Sequence, residues 1–165
     1  MRIQPSYYCP LVENIEVSFL KDKGIKGIAI DIDNTLTGDG SHNLKEGVAN
    51  WIKAVKDEGI VFCIVSNNHL PRIKPYADRI EVEYICEADK PSARCKKELL
   101  EILGCNDSEV VMIGDQFFTD MLFASRCHFK SILVDPISED KHKGAKIKRF
   151  FEKPLRNIAK KRRRI

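Results

Sequence analysis

At 165 residues the chain is the size of one ordinary domain, long enough to bury a full hydrophobic core. With 43% hydrophobic and 32% charged residues it has the composition of a globular protein, and no apolar run approaches the length that would cross a bilayer, which excludes a transmembrane reading. The net charge of +4 divides unevenly, since residues 141–165 carry +11 and the first 140 carry −7.

The N-terminal MRIQPSYYCPLVENIE has no basic segment followed by an apolar core, so no secretory signal is read there. The first strand is GIAI (27–30). A helix near 45–58 follows, with Val48, Trp51, Ile52 and Val55 at helical spacing and a stop near Gly59. VFCIV (61–65) is the second strand, a helix lies near 70–77, and VEYIC (82–86) is the third strand. The next helix, 91–103, is expected to open on Pro91 and to end near Gly104. VVMI (110–113), a helix near 117–126 and SILV (131–134) complete the series. Strands alternating with helices predict an α/β domain, a parallel sheet of about five strands with both faces covered, with ligands beyond the carboxyl ends of the strands. Residues 1–140 form the domain and 141–165 a basic amphipathic segment, either part of that domain or a surface-binding tail. The six cysteines form no CxxC pair and no zinc spacing, and Cys63 sits inside an apolar run, as a small core filler does. A reducing, cytoplasmic setting is the simplest fit.

Chemistry concentrates at the strand ends. Directly after GIAI comes Asp31-Ile32-Asp33-Asn34-Thr35. Two carboxylates at i and i+2 on a turn leaving a buried strand can converge on one site, one to attack phosphorus and the other to protonate the leaving oxygen and then activate water. Together they repel a phosphate, so the pair needs a cation such as Mg²⁺, which takes hard oxygen ligands. A DxD alone is weak evidence, because aspartates also terminate strands and cap helices. The other ends strengthen it. VFCIV runs into Ser66-Asn67-Asn68, a hydroxyl and turn amides for phosphoryl oxygens. Asp89 leads to Lys90, and VVMI runs into Gly114-Asp115-Gln116-Phe117-Phe118-Thr119-Asp120. A serine, a lysine and a late aspartate pair supply the positioning, charge neutralisation and metal site that phosphoryl transfer requires. No CxxxxxR and no GxxxxGK loop occurs, which leaves out two other phosphate chemistries.

With these four segments in order, nearly the whole chain resembles the haloacid dehalogenase superfamily. The resemblance implies Asp31 as nucleophile, Asp33 as general acid/base, Ser66 and Lys90 as the second and third motifs, and Asp115 with Asp120 as the fourth. It further implies Mg²⁺ held by Asp31, the Asp33 main-chain carbonyl and Asp115, with Asp120 orienting Lys90 or a metal-bound water, and Thr35 in support. Ser66, Asn67 and Lys90 are the expected phosphate binders. The implied fold is a Rossmann-like sheet in the order 5-4-1-2-3. DIDNTL, CIVSNN, KPS and GDQFFTD look more narrowly like the YqeG family of subclass III hydrolases, which is related to phosphatidylglycerophosphatases. The implied reaction is phosphomonoester hydrolysis through an aspartyl-phosphate, with phosphatidylglycerophosphate ahead of phosphoproteins, nucleic-acid ends or sugar phosphates as substrate.

Only residues 37–44 separate the first motif from its helix, and about a dozen separate the second motif's helix from Lys90, so no cap domain is expected and the site stays open to a bulky substrate. In the tail, Ile147, Phe150, Phe151, Leu155 and Ile158 fall on one helical face among lysines and arginines. That face is expected either to lie on an anionic membrane through residues 143–165 or to pack on the protein's own core, with nucleic acid a third partner. Pro154 is expected to kink or end the helix. All four motifs precede residue 121, so the tail is expected to leave the chemistry untouched. The rival from another class is a nucleic-acid-binding protein that uses the basic tail while the site stands idle. His42 and His69 read as polar loop residues, and Trp51 as core.

Overall fold

The computed structural model describes residues 4–141 and 143–165. The strands are β1 (Tyr7–Tyr8), β2 (Gly27–Ile30), β3 (Val61–Val65), β4 (Glu83–Ile85), β5 (Val110–Gly114) and β6 (Lys130–Leu133), and the helices are α1 (Val17–Asp22), α2 (Glu46–Asp57), α3 (Leu70–Ile80), α4 (Lys96–Leu103), α5 (Leu122–Cys127) and α6 (Lys143–Arg162). All six strands are parallel, in the order β1-β6-β5-β2-β3-β4. The five strands anticipated from hydropathy lie in the anticipated order. The sixth, β1, is a two-residue edge strand too short to leave a periodic signal.

β2 is central and buried along its whole length, which is why it reads as an uninterrupted apolar run. Its alternate residues serve the two faces. Ile28 and Ile30 join Ile64, Ile113 and the buried sides of α2 and α3, including Trp51, Ile52, Ile73 and Tyr76. Ala29 joins Cys63, Met112 and the buried sides of α4 and α5, including Leu99 and Phe123. From β2 the chain winds outward through β3 and β4, then returns to the other side through β5 and β6. The reversal at β2–β5 opens a crevice beyond the carboxyl ends, where such sheets bind ligands.

Three local expectations are revised. Helix α4 begins at Lys96, not Pro91, because Pro91–Cys95 is used in turns and the first helical bond, Leu99 N to Cys95 O, comes at 2.9 Å. The segment after β5 opens with a single π-turn, Phe117–Met121, before α5. Helix α6 runs through Pro154 for 20 residues without ending there.

Of the two placements expected for the apolar face of the tail, α6 does not adopt docking on the protein's own core. Ile147, Phe150, Phe151 and Ile158 are 60%, 75%, 62% and 43% exposed, so the apolar face does not pack on the core, and only Leu155 is partly covered. The face turned inward is polar. Glu152 and Arg156 are buried beside Ala159, and Arg149 is largely covered. Beyond the helix, Tyr8 N donates to Arg163 O at 2.7 Å and Ile165 N to Tyr8 O at 3.0 Å, which occupies the open edge of β1.

Candidate active site

Asp31 is fixed where β2 ends, its N–H donating to Ile113 O of β5 at 3.0 Å. Ser66, at the end of β3, donates its N–H to Ile85 O of β4 at 3.0 Å, and its hydroxyl accepts from Asn68 N at 3.2 Å. Lys90 is brought in by the loop after β4 and is fully enclosed. Its Nζ donates to Asp31 Oδ1 at 2.8 Å and to Asp120 Oδ1 at 2.7 Å. Asn67 holds the Lys90 main chain from both sides, donating from Nδ2 to Lys90 O at 2.8 Å and accepting at Oδ1 from Lys90 N at 2.7 Å. The Asn67 side chain, expected at the phosphate, thus serves to place the lysine.

Asp120 reaches the site by folding back along the π-turn, where Oδ2 accepts from Gln116 N at 3.0 Å. A Cβ on Gly114 would fall inside the Asp120 carboxylate, so the glycine at the end of β5 is a condition of that placement. Carboxylate oxygens of Asp31, Asp115 and Asp120 lie within 4.8 Å of one another, and all three residues are buried. One ammonium faces three carboxylates, and the protonation equilibria record the imbalance. Burial pushes the Asp31 carboxyl up to about 7, with the charges of Asp120 and Asp33 adding to it and Lys90 opposing. Burial, with Asp120 and Asp31, pushes Asp115 up to about 8 against the pull of Arg149. Burial would lower Lys90, but Asp120 and Asp31 outweigh it and hold the ammonium protonated.

This donor set suits a hard divalent cation. Asp115 Oδ1 is buried without a hydrogen-bond partner, an orphaned acceptor of the kind a metal ligand presents. Both Asp120 oxygens are engaged, by Lys90 and by Gln116, which suits a positioning group better than a ligand.

The Asp33 carboxylate lies at the mouth instead of in the cluster. Its Oδ1 accepts from Gly40 N at 2.8 Å and from Arg72 Nε and Nη2 at 3.2 and 2.6 Å, and its Oδ2 accepts from Asn68 Nδ2 at 2.5 Å. Thr35 is buried with its hydroxyl unpartnered. Asn34 donates to Asp140 Oδ1 at 3.1 Å and accepts from Ser138 N and Oγ at 2.9 and 2.8 Å, tying the turn after β2 to the loop after β6. His42 stands 3.4 Å from Arg72 at the rim, His69 is exposed beside Glu87, and Trp51 donates to Ile15 O inside the core.

The tail does enter the site, contrary to expectation. Arg149 Nη2 donates to Asp115 Oδ2 at 2.5 Å and to Asp140 Oδ1 at 3.0 Å, while its Nη1 donates to the Asp115 carbonyl at 2.7 Å. Arg156 bonds the same carbonyl. Glu152 Oε1 accepts from Phe117 N and Phe118 N at 2.8 and 3.2 Å, capping the π-turn that carries Asp120. Sequence reasoning missed Arg149, Glu152, Arg156, Arg72 and Asp140. The one available signal was Glu152, the single acid among twelve basic residues after position 140 and thus a candidate for an inward-facing pair.

The fold, an open parallel sheet with acidic and basic side chains gathered at its switch point, is that of a hydrolase of the haloacid dehalogenase kind. A family model for haloacid dehalogenase-like hydrolases matches residues 38–128, more than half of the chain and starting beyond Asp31 and Asp33. The chain belongs to this family. It is 31% identical to the probable phosphatase YqeG of Bacillus subtilis over 81% of its own length and 78% of that protein's. Against the chloroplastic/mitochondrial phosphatidylglycerophosphate phosphatase 1 of Arabidopsis thaliana it is 29% identical over 75% of its length, spanning only 38% of that longer protein. Among solved structures, an uncharacterized protein of Listeria monocytogenes serotype 4b matches with a TM-score of 0.56 at 16% identity, covering 72% of this chain and 85% of that one. The cobalt-bound deoxy-D-mannose-octulosonate 8-phosphate phosphatase of Haemophilus influenzae matches at 0.50 and 15%, covering 68% and 69%. These two likenesses bear on the fold. The expected activity, a phosphatase, rests on family membership and on relatives that carry that name.

Proposed function

We propose that the chain is a Mg²⁺-dependent phosphomonoesterase that works through an aspartyl-phosphate on Asp31, with a lipid phosphate of the phosphatidylglycerophosphate type as substrate. The observation that carries the mechanism is the Lys90 ammonium held between Asp31 and Asp120, in a carboxylate cluster that still lacks compensating charge. Asp31 would attack phosphorus, Lys90 and the Ser66 hydroxyl would hold phosphoryl oxygens, and Asp33 would protonate the leaving oxygen and then take a proton from water. Asp31, Asp115 and the Asp33 carbonyl would hold Mg²⁺, which supplies charge neutralisation for the phosphoryl group when bound. Asp120 would position Lys90.

The lipid substrate is supported by the Arabidopsis thaliana relative named phosphatidylglycerophosphate phosphatase, by the absence of a cap among the described residues, and by α6. Its outer face carries four exposed large apolar residues among lysines and arginines, the pattern of a helix that lies in an anionic interface. No helix of the described residues is long and apolar enough to cross a membrane. The test is a panel of phosphomonoesters including short-chain phosphatidylglycerophosphate, run with Mg²⁺ and with excess chelator. The expected outcome is preference for the lipid, loss of turnover in chelator, and loss of turnover by about three orders of magnitude or more in Asp31→Asn. Near-normal turnover of Asp31→Asn would remove the covalent mechanism, and preference for a sugar phosphate would remove the lipid.

A further inference from the structure

Beside the catalytic mouth lies a second cavity, of about 720 Å³, between the Pro136–Asp140 loop and α6. The two hollows share Asp140 as a common wall, the mouth itself being lined by Asp33, Asn34, Asn68 and Arg72. Their relative placement is fixed, because Ile137 N donates to Asn34 O at 3.3 Å and Ser138 bonds the Asn34 side chain. The loop therefore connects the turn that carries Asp31 and Asp33 to the floor of the neighbouring groove.

The lining carries four basic residues on the helix side and apolar groups beside them, with the exposed Glu139 carboxylate and the Arg149-paired Asp140 on the loop side. Two of its four basic residues are committed, Arg149 to Asp115 and Asp140, and Arg156 to Asp135 and Glu152. The other two, Lys146 and Lys153, are exposed and form no ion pair among the described residues. Ile137 and the largely exposed ring of Phe150 supply the apolar side. Two ammonium groups without an ion-pair partner among the described residues, on a helix face whose basic residues outnumber the groove's one unpaired carboxylate, Glu139, and over an apolar wall next to a phosphomonoester site, fit an amphiphile with a second anionic group. A simple sugar phosphate or inorganic phosphate would leave both halves of this groove without a partner.

We infer that this groove is a substrate subsite that receives the non-scissile phosphodiester and adjoining glyceride of a glycerolipid phosphomonoester, with Lys146 and Lys153 pairing the phosphodiester and Ile137 and Phe150 contacting the glyceride. The inference rests on the lipid-phosphate reading above and adds the residues that select for it. The subsite separates a lipid bearing two phosphate groups from one bearing a single terminal phosphate.

The test uses the full chain and a ligand that fills only the subsite. Monomeric dioctanoyl phosphatidylglycerol has the phosphodiester and glyceride but no phosphomonoester, so it is tried as an inhibitor of p-nitrophenyl phosphate hydrolysis. The expected result is inhibition of the wild type, an inhibition constant raised about tenfold in the Lys146→Ala/Lys153→Ala double variant, and recovery in Lys146→Arg/Lys153→Arg. Dioctanoyl phosphatidylcholine, whose headgroup is zwitterionic, should inhibit less than phosphatidylglycerol. Equal inhibition constants in the wild type and the alanine variant would overturn the subsite, as would no inhibition of the wild type. Turnover of short-chain phosphatidylglycerophosphate is measured in parallel and separates the two failures. Turnover without lysine-dependent inhibition leaves the substrate and removes the subsite, and lysine-dependent inhibition without turnover does the reverse.

Discussion

Asp31 and Asp115 are held out of water by the same strand ends that aim them, and this makes the stability of the metal-free protein depend on pH. Both carboxyls keep their protons to higher pH than in the unfolded chain, at about 7 and about 8. Between about pH 4 and pH 8 the folded state therefore binds more protons than the unfolded state, so stability is greatest at the acid end and is lost as pH rises through these two values. Melting temperatures in chelator should fall across that range, and added Mg²⁺ should raise them most at the alkaline end. A flat profile in chelator would show that the pair is not titrating in this way. Gly114 acts at the same scale. Gly114→Ala should cost about 1–3 kcal/mol in denaturant unfolding, because the new methyl meets the Asp120 carboxylate, and should slow turnover by displacing Lys90. The residues legible in the sequence were those whose meaning is local: an acid after an apolar strand, a serine or lysine after the next. Arg72, Asp140 and Arg149 were not legible, since each matters through a partner between 9 and 39 positions away.

Among the elements, α6 is the one whose helical wheel left two orientations open, and the apolar side faces outward. An amphipathic pattern shows which residues share a face but not which face turns inward, and the usual assumption is that the apolar one does. Here buried carboxylates and the bare amides of the π-turn already wait on the domain, so a helix carrying Arg149, Glu152 and Arg156 satisfies more of it than a row of phenylalanines would. Burial leaves the Glu152 carboxyl raised, with the Phe118 amide and the Arg149 and Arg156 charges acting the other way. Glu152→Ala would strip the acceptor from the buried Phe117 amide and the partly buried Phe118 amide, and should destabilise the protein by about 2–4 kcal/mol in denaturant unfolding. Glu152→Gln, which keeps an acceptor, should recover part of that loss. If Glu152→Ala unfolds like the wild type, the cap has no energetic role. The β-strands were the most legible elements because parallel strands buried on both faces read as continuous apolar runs, whereas the start of α4 misled because proline suits a turn as well as a first helical turn.

For the whole molecule, the same helix offers its polar side to the catalytic cluster and its apolar side to the surroundings. On the proposed reading, vesicle binding and catalysis should therefore be separable by point substitution but not by truncation. Ile147→Ser/Phe151→Ser, both on exposed positions, should weaken binding to phosphatidylglycerol vesicles by about tenfold or more and leave the melting temperature near that of the wild type. Added salt should weaken wild-type binding further by screening the basic share of the attraction. Unchanged binding in the double variant would leave the membrane reading without support. Removing residues 145–165 should instead abolish hydrolysis of even a small soluble ester, since Asp115 loses Arg149 and the π-turn loses its cap.

The order in which the chain is made gives that last connection a temporal side. Every motif residue, from Asp31 to Asp120, leaves the ribosome ahead of Arg149 and Glu152. A nascent or stalled chain that stops short of α6 would thus display all four motifs while its late aspartate pair lacked the groups that orient it. Acquisition of a competent site would coincide with docking of the helix, and incomplete translation products would carry the family's signature without its activity.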